Sequence, residues 1–239
     1  MEMLNAFGQP VGPAVTTELP RPRPRPVTLE GRYIRVVPLR ADHAEALYDR
    51  LGGADRAPLW TYIPTGPYTS LEAFADWVAS AAASPDAVFF ALEDLVADRP
   101  LGFCSLMRID PQMGVVEIGF ILFSKALQST AAATEAMALI MGHVFDDLGY
   151  RRYEWKCDAL NAPSRRAAER LGFRHEGTFR QAVVYKGRNR DTAWFSVIDR
   201  DWPRLRQGFR LWLDEANFDA MGRQIRRLEA CRSPEVEDI

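Results

Sequence analysis

Hydrophobic and polar positions change their period repeatedly along this chain, and the changes divide it into elements. Residues 33–38 alternate in strand fashion, and Asp42 stands where a cap would open a short helix at His43. Leu71, Phe74, Trp77, Val78 and Ala81 share one stripe, which predicts an amphipathic helix over 71–82 behind the cap candidates Thr69 and Ser70. Strands follow at 87–92 and 100–109, and a third apolar run covers 115–123. That run passes directly into a helical stretch, 128–145. Beyond it the pattern predicts a strand at 152–157, a loop around Asn161, a helix over 164–171, and a strand pair near 178–185 and 192–198. The order β-α-α-β-β-β-α-β-α-β-β is that of a mixed α/β layer in which helices cover a sheet.

The two ends depart from this regularity. Residues 1–26 are rich in Pro and Gly and finish in Arg21-Pro-Arg-Pro-Arg-Pro26, where each proline removes an amide donor and fixes an extended backbone. An extended arm lying on the domain surface is expected; the alternative is a ligand for a groove or an acidic partner. After the domain spanning 27–202, Asp201 and Pro203 open a helix reaching about Leu213, and Ile225 and Leu228 suggest a second over 218–231. Residues 203–239 therefore form an expected helical extension, packed on the core or used to dimerise.

Composition narrows the function classes. Thirty basic and thirty-two acidic side chains among 239 residues leave a formal charge of -2, too balanced for the field of a nucleic-acid binder. The longest apolar stretch, 115–123, is interrupted by Glu117 and is too short to span a bilayer. The amino terminus lacks a basic-then-apolar leader pattern. Cys104, Cys157 and Cys231 are widely separated and odd in number, so neither a disulfide framework nor a metal site is expected, and a cytoplasmic location fits. His43, His143 and His175 fall on three different elements without metal spacing.

The candidate chemistry lies at the junction of residues 120–136. A helix opening directly from a strand end presents unpaired amides and the positive end of its dipole, which together attract an anion. Ser129, Thr130, Ala131, Ala132 and Ala133 keep that surface bare, so a pyrophosphate can approach the backbone.

This stretch resembles the acyl-CoA loop of GNAT acetyltransferases, whose pattern is Gln/Arg-x-x-Gly-x-Gly/Ala, here Gln128-Ser-Thr-Ala131-Ala-Ala133. Ala131 departs from the usual glycine; its methyl group disfavours positive φ, which puts CoA affinity in question. The run from Asn161 through Ser164 to Leu171-Gly-Phe173 and Gly177 is similar to the other half of the same core. Further matches, Val116-Glu-Ile-Gly119 and Gly187-Arg-Asn-Arg-Asp191 among them, resemble the branch of ribosomal-protein alpha-amine acetyltransferases and their small-molecule relatives. The resemblance runs from about Leu29 to Trp202. It implies the GNAT acyl-CoA N-acyltransferase fold, a mixed, mostly antiparallel sheet covered by helices on both faces.

It also implies acetyl-CoA as cosubstrate, no metal, and a primary amine as acceptor, either a protein N-terminus or a small molecule, in a monomer or homodimer. The backbone of Ile121 and Phe123 would pair with the pantetheine arm, which requires the sheet to splay there. Near Gln128, the amides of Ser129, Ala131, Ala133 and Thr134 would hold the pyrophosphate, and Asn161 would bond the arm beside the thioester.

Three chemical needs follow: a neutral amine, a stabilised oxyanion and a proton for the leaving thiolate. Neutralising an alpha-amine of pKa about 8 costs roughly 1 kcal/mol at pH 7, against nearly 5 for a lysine near 10.4. Glu117 is the candidate base, on the same face as Gly119 and Ile121 by strand alternation; a salt-bridged carboxylate is the alternative. The tyrosine acid usual in the family is replaced by Ala168, so Ser164 is the candidate donor or relay, unless it only caps its helix. A backbone amide near Leu122 or Phe123 would meet the oxyanion. Trp60, Tyr62, Tyr68 and Trp77 either line an acceptor pocket or belong to the core. The alternative function is a CoA-binding regulatory module with little turnover.

Overall fold

The computed structural model describes residues 3–232. An N-terminal hairpin, β1 (Met3–Leu4) and β2 (Pro10–Val11), precedes one eight-stranded sheet. Its strands are β3 (Leu29–Glu30), β4 (Ile34–Pro38), β5 (Val88–Asp94), β6 (Arg99–Asp110), β7 (Val115–Phe123), β8 (Arg152–Asp158), β9 (Arg174–Tyr185) and β10 (Arg188–Ile198). The spatial order is β3-β4-β5-β6-β7-β8-β10-β9. Every adjacent pair is antiparallel except β7 and β8, which run parallel. That exception follows from connectivity: a helix lies between them, as a parallel crossover requires.

Alternation along the strands divides the apolar residues between two cores. Val36, Phe90, Leu106 and Ile118 face α3 (Ala131–Gly142), α4 (Ala162–Leu171) and α5 (Trp202–Leu213). Val37, Phe89, Ala91 and Phe103 face α1 (Ala44–Leu51) and α2 (Leu71–Ala82). Helices thus cover both faces, as the sequence predicts. Helix α2 occupies its predicted range, and the Ser70 hydroxyl caps it by accepting the Ala73 amide at 3.3 Å. Asp42 caps nothing: a 3-10 turn, Ala41–His43, precedes α1, and the Asp42 carboxylate takes the Arg40 guanidinium instead.

The basic arm lies on the domain. The Arg21 amide donates to the Pro111 carbonyl at 2.9 Å, its Nε donates to the Leu148 carbonyl at 2.9 Å, and Pro24 is buried. At the other end α5 buries Trp202, Leu205, Phe209 and Trp212. The expected helix over 218–231 does not form. Buried Asn217 holds the chain in a turn by donating to the Trp212 and Arg226 carbonyls and accepting the Arg226 amide, and Gly222 sits at φ +72°, outside helical geometry. Residues 233–239 of the predicted extension lie outside the described residues. Among the described residues no helix is long and apolar enough to cross a membrane.

Candidate active site

The site is built on a defect in β7. Between the pairs Ser105–Gly119 and Phe103–Leu122, β7 holds one residue more than β6, and Phe120 adopts φ +49°. This bulge bends β7 and reverses its alternation. Val116 and Ile118 face α3, whereas beyond the bulge Leu122 joins the α1/α2 core. Strand alternation therefore misplaces Ile121: Glu117 and Gly119 share a face, and Ile121 packs on the other.

The same bend parts β7 from β8. The parallel ladder holds only from Val115–Arg152 to Ile118–Trp155, after which β8 continues beside β10 alone. The Ser124 amide donates to the Leu101 carbonyl at 2.9 Å, so Leu122 and Ser124 turn their backbones toward β6, while Ile121 and Phe123 turn theirs into the gap. Of the two amides expected near an oxyanion, that of Phe123 faces the gap and that of Leu122 faces β6. The Phe123 carbonyl takes the side-chain amide of Gln128 at 2.9 Å, which folds the following loop against the strand end.

Helix α3 starts at Ala131, three residues later than predicted, with Thr130 as N-cap. The Thr130 hydroxyl accepts the Ala133 amide at 3.1 Å, and the Thr134 amide reaches the Thr130 carbonyl. Those two predicted phosphate donors are therefore already used by the helix. The amides of Ser129, Thr130, Ala131 and Ala132 have no partner among the described residues, and together they face outward at the dipole's positive end. The left-handed residue of the loop is Ser129, at φ +62°; Ala131 is not among the residues of positive φ. The methyl group at Ala131 thus opposes nothing in the backbone.

Beyond the gap, α4 begins where β8 ends. Asn161 Oδ1 caps it by accepting the Ser164 amide at 3.1 Å, leaving the Asn161 amide nitrogen available to a ligand. Ser164 is not the cap. Its hydroxyl accepts the Trp155 indole N–H at 3.0 Å and lies beside the Cys157 thiol. Gly172 ends α4 at φ +99°, a conformation closed to a side chain without strain. Ala168, at the position of the missing tyrosine, is buried in the core.

The sheet face carrying Glu117 is charged where α1 and α2 no longer cover it. Glu117 is 6% exposed, and Lys156 Nζ lies 2.9 Å from it and 2.7 Å from Glu154. Burial pushes the Glu117 carboxyl up, while Lys156 and then Arg108, at 3.5 Å, pull it down; the net direction is up. For Glu154 burial also raises, but bonds from Lys156 and Arg152 outweigh it and the net direction is down. Lys156 further stacks on the Trp194 ring, 3.7 Å from its centroid. Glu117 is thus both a candidate base and an ion-paired carboxylate. Its oxygen lies 3.6 Å from where a Cβ on Gly119 would stand, beside the bulge. Sequence reasoning missed Lys156 because its importance comes from pairing across three strands.

Of the aromatic candidates, Trp60 is wholly buried and joins Tyr68, Phe74 and Trp77 in the α1/α2 core, so it is not a pocket wall. Tyr62 reaches across to the Leu160 carbonyl at 3.3 Å, and Lys186 Nζ donates to the Trp60 carbonyl at 2.7 Å. These two bonds tie the segment after α1, and the β9–β10 turn, over the parted strands. A cavity of about 690 Å³, lined by Arg56, Arg99 and Ser124 to Ala126 among others, opens beside the loop on the covered half and does not include the gap. Among the described residues no group of three His, Cys, Asp or Glu side chains is placed to hold a metal.

A parallel pair that parts at a bulge, beside a bare helix start, is the feature that sets this sheet apart. The chain belongs to the GNAT acetyltransferases: the acetyltransferase (GNAT) domain matches residues 34–174, more than half of its length. A GCN5-related N-acetyltransferase from Brucella melitensis is 46% identical, with TM-score 0.88 over 91% of this chain and 99% of that one. A probable acetyltransferase of the GNAT family from Chromobacterium violaceum is 37% identical, with TM-score 0.76 over 82% and 98%. The uncharacterized N-acetyltransferase p20 of Bacillus licheniformis is 31% identical over 44% of this chain and 58% of its own length. The chain thus spans little more than half of that curated relative.

Proposed function

We propose that the protein transfers an acetyl group from acetyl-CoA to a primary amine by direct attack in a ternary complex. One observation carries this reading: β7 parts from β8 beside the unpartnered amides of Ser129 to Ala132. The pyrophosphate would take those amides, aided by the helix dipole. The pantetheine arm would lie along Ile121 and Phe123 as an added strand, with the Asn161 amide nitrogen on its far end.

In the reaction the amine nitrogen attacks the thioester carbon, its excess proton passes toward Glu117, and the C–S bond breaks. The oxyanion meets the Phe123 amide. The thiolate would take a proton from solvent, relayed by the Ser164 hydroxyl, which passes on its own and regains one; that hydroxyl accepts the Trp155 indole N–H and would have to turn from the Cys157 thiol to the leaving sulfur. Glu117 need only be a weak base for an alpha-amine. Its raised proton affinity suits that task.

Ribosomal-protein alpha-amines and small amines remain the acceptor classes that the sequence motifs support. The motive for a regulatory module weakens, because Ala131 needs no positive φ. The test is calorimetry with acetyl-CoA and CoA, followed by thiol release on an amine panel. Micromolar binding with turnover that falls in Glu117→Gln is expected. Absence of binding by folded protein overturns the reading.

A further inference from the structure

Arg190 lies in β10 just past the point where β8 ends, opposite Val183 of β9. Its Nε is buried without a hydrogen-bond partner, and no carboxylate lies within ion-pair distance of its guanidinium among the described residues. The neighbouring Tyr185 ring lies 5.8 Å from its charge, and the Cys157 thiol also feels it. Asp158 is the acid beside it, but both its oxygens are engaged, by the Leu160 amide and the Tyr185 hydroxyl at 2.8 Å each. Arg190 is partly buried, and a guanidinium N–H shut off from water without an acceptor is costly, so such a side chain is a place for an anion to arrive.

Two further polar atoms on the same strand point the same way. Thr192 is 4% exposed with its hydroxyl unpartnered, and the indole N–H of Trp194 is buried and unpartnered. Thr192 stands opposite Asp158 and Trp194 opposite Lys156, so both lie on the face that carries Glu117. The strand therefore presents donors in excess: one guanidinium N–H, one indole N–H and one hydroxyl. Donors without acceptors select a ligand that brings oxygen lone pairs and negative charge.

We propose that Arg190, with Thr192 and Trp194, receives a carboxylate carried by the acceptor amine, so that the substrates are amino acids or carboxylate-bearing amines. This rests on the acetyltransferase reading above and narrows its acceptor class. The amine would lie toward Glu117 and the carboxylate toward the open end of β10. At the amine end Lys156 is paired with Glu117 and Glu154, whereas Arg190 has no carboxylate partner among the described residues.

The test is thiol release from acetyl-CoA on matched pairs, amino acids against their carboxamides, with wild type, Arg190→Gln and Arg190→Lys. Expected is at least a tenfold preference in kcat/KM for the carboxylate member, lost in Arg190→Gln through KM and partly restored in Arg190→Lys. Equal use of both members, or a preference that survives Arg190→Gln, overturns the proposal. So does a tenfold weaker acetyl-CoA affinity in Arg190→Gln with acceptor KM unchanged, which would assign the cation to CoA. Failure of wild type to turn over any carboxylate member while calorimetry still shows acetyl-CoA binding overturns the acceptor class alone. Failure to bind acetyl-CoA overturns the underlying reading instead.

Discussion

The two halves of the sheet are built to opposite rules. From β4 to β6 both faces are covered by apolar side chains, and the charged groups there are paired: Arg35 bonds Glu93, and Glu135 of α3 accepts the amides of Arg32, Tyr33 and Ile34. From β7 to β10 only the α3/α4 face is apolar. The other face carries Glu117, Lys156 and Glu154 under partial cover, with Thr192 and Trp194 left unsatisfied. An unpaired buried polar group costs stability, so Thr192 and Trp194 belong with the half to which the proposed function assigns the ligand.

Mutations should divide along the same line. The largest effect is expected in the covered half: Phe103, wholly buried against Trp60 and Trp77, loses its packing in Phe103→Ala. The cost is about 3–5 kcal/mol. It should appear as a melting-temperature fall of roughly 10 °C, with acetyl-CoA affinity retained by the folded fraction. A variant that melts like wild type but binds no acetyl-CoA would erase the distinction between the halves.

In the open half the order reverses, with activity falling before stability. Glu117→Gln keeps the shape and removes the proposed base, and thiol release should drop about 100-fold. Acetyl-CoA affinity should stay within a small factor, since Glu117 lies on the acceptor face. Unchanged turnover would leave Glu117 as a structural carboxylate held by Lys156.

Lys156→Met sharpens this through pH. Burial raises the Glu117 proton affinity and Lys156 lowers it, so removing the lysine raises it further. Activity that needs the ionised carboxylate would then fail at a higher pH on acidification. The acidic limb of the kcat/KM profile should move alkaline; a limb that stays or moves acidic would mean that another group sets it. Stability will also suffer, because Glu117 and Glu154 lose their shared counter-charge.

Much of the fold was legible because it depends on local period and caps. Helix α2, β7 and the strands expected at 152–157 and 192–198, observed at 152–158 and 188–198, arise from stripes or alternation that a single chain displays. The 3-10 segment Ala54–Trp60 has no such period and was missed; its place is fixed by Trp60 entering the core and donating to the Leu51 carbonyl at 2.7 Å. The site was half legible. Motif spacing pointed to the loop and to Asn161, but the bulge at Phe120, which decides where Ile121 faces, leaves no mark on hydrophobic order. Nor could the sequence say that Thr130 would take the Ala133 amide. Such competition between a cap and a ligand is settled by fractions of an ångström.

The smallest expected effect tests that last point. If the loop's conformational burden lay on Ala131, glycine there would relieve it and tighten acetyl-CoA binding. The left-handed residue is instead Ser129, while Ala131 opens the helix. Glycine at Ala131 should therefore loosen the free loop slightly and leave acetyl-CoA affinity within about twofold. Ser129→Gly removes a Cβ from the one strained position, and its stability change should be neutral or favourable by less than about 1 kcal/mol. The pair is informative because both variants remove the Cβ, at positions two residues apart. A tenfold gain in affinity for Ala131→Gly, with none for Ser129→Gly, would show that the loop rearranges when it meets its ligand.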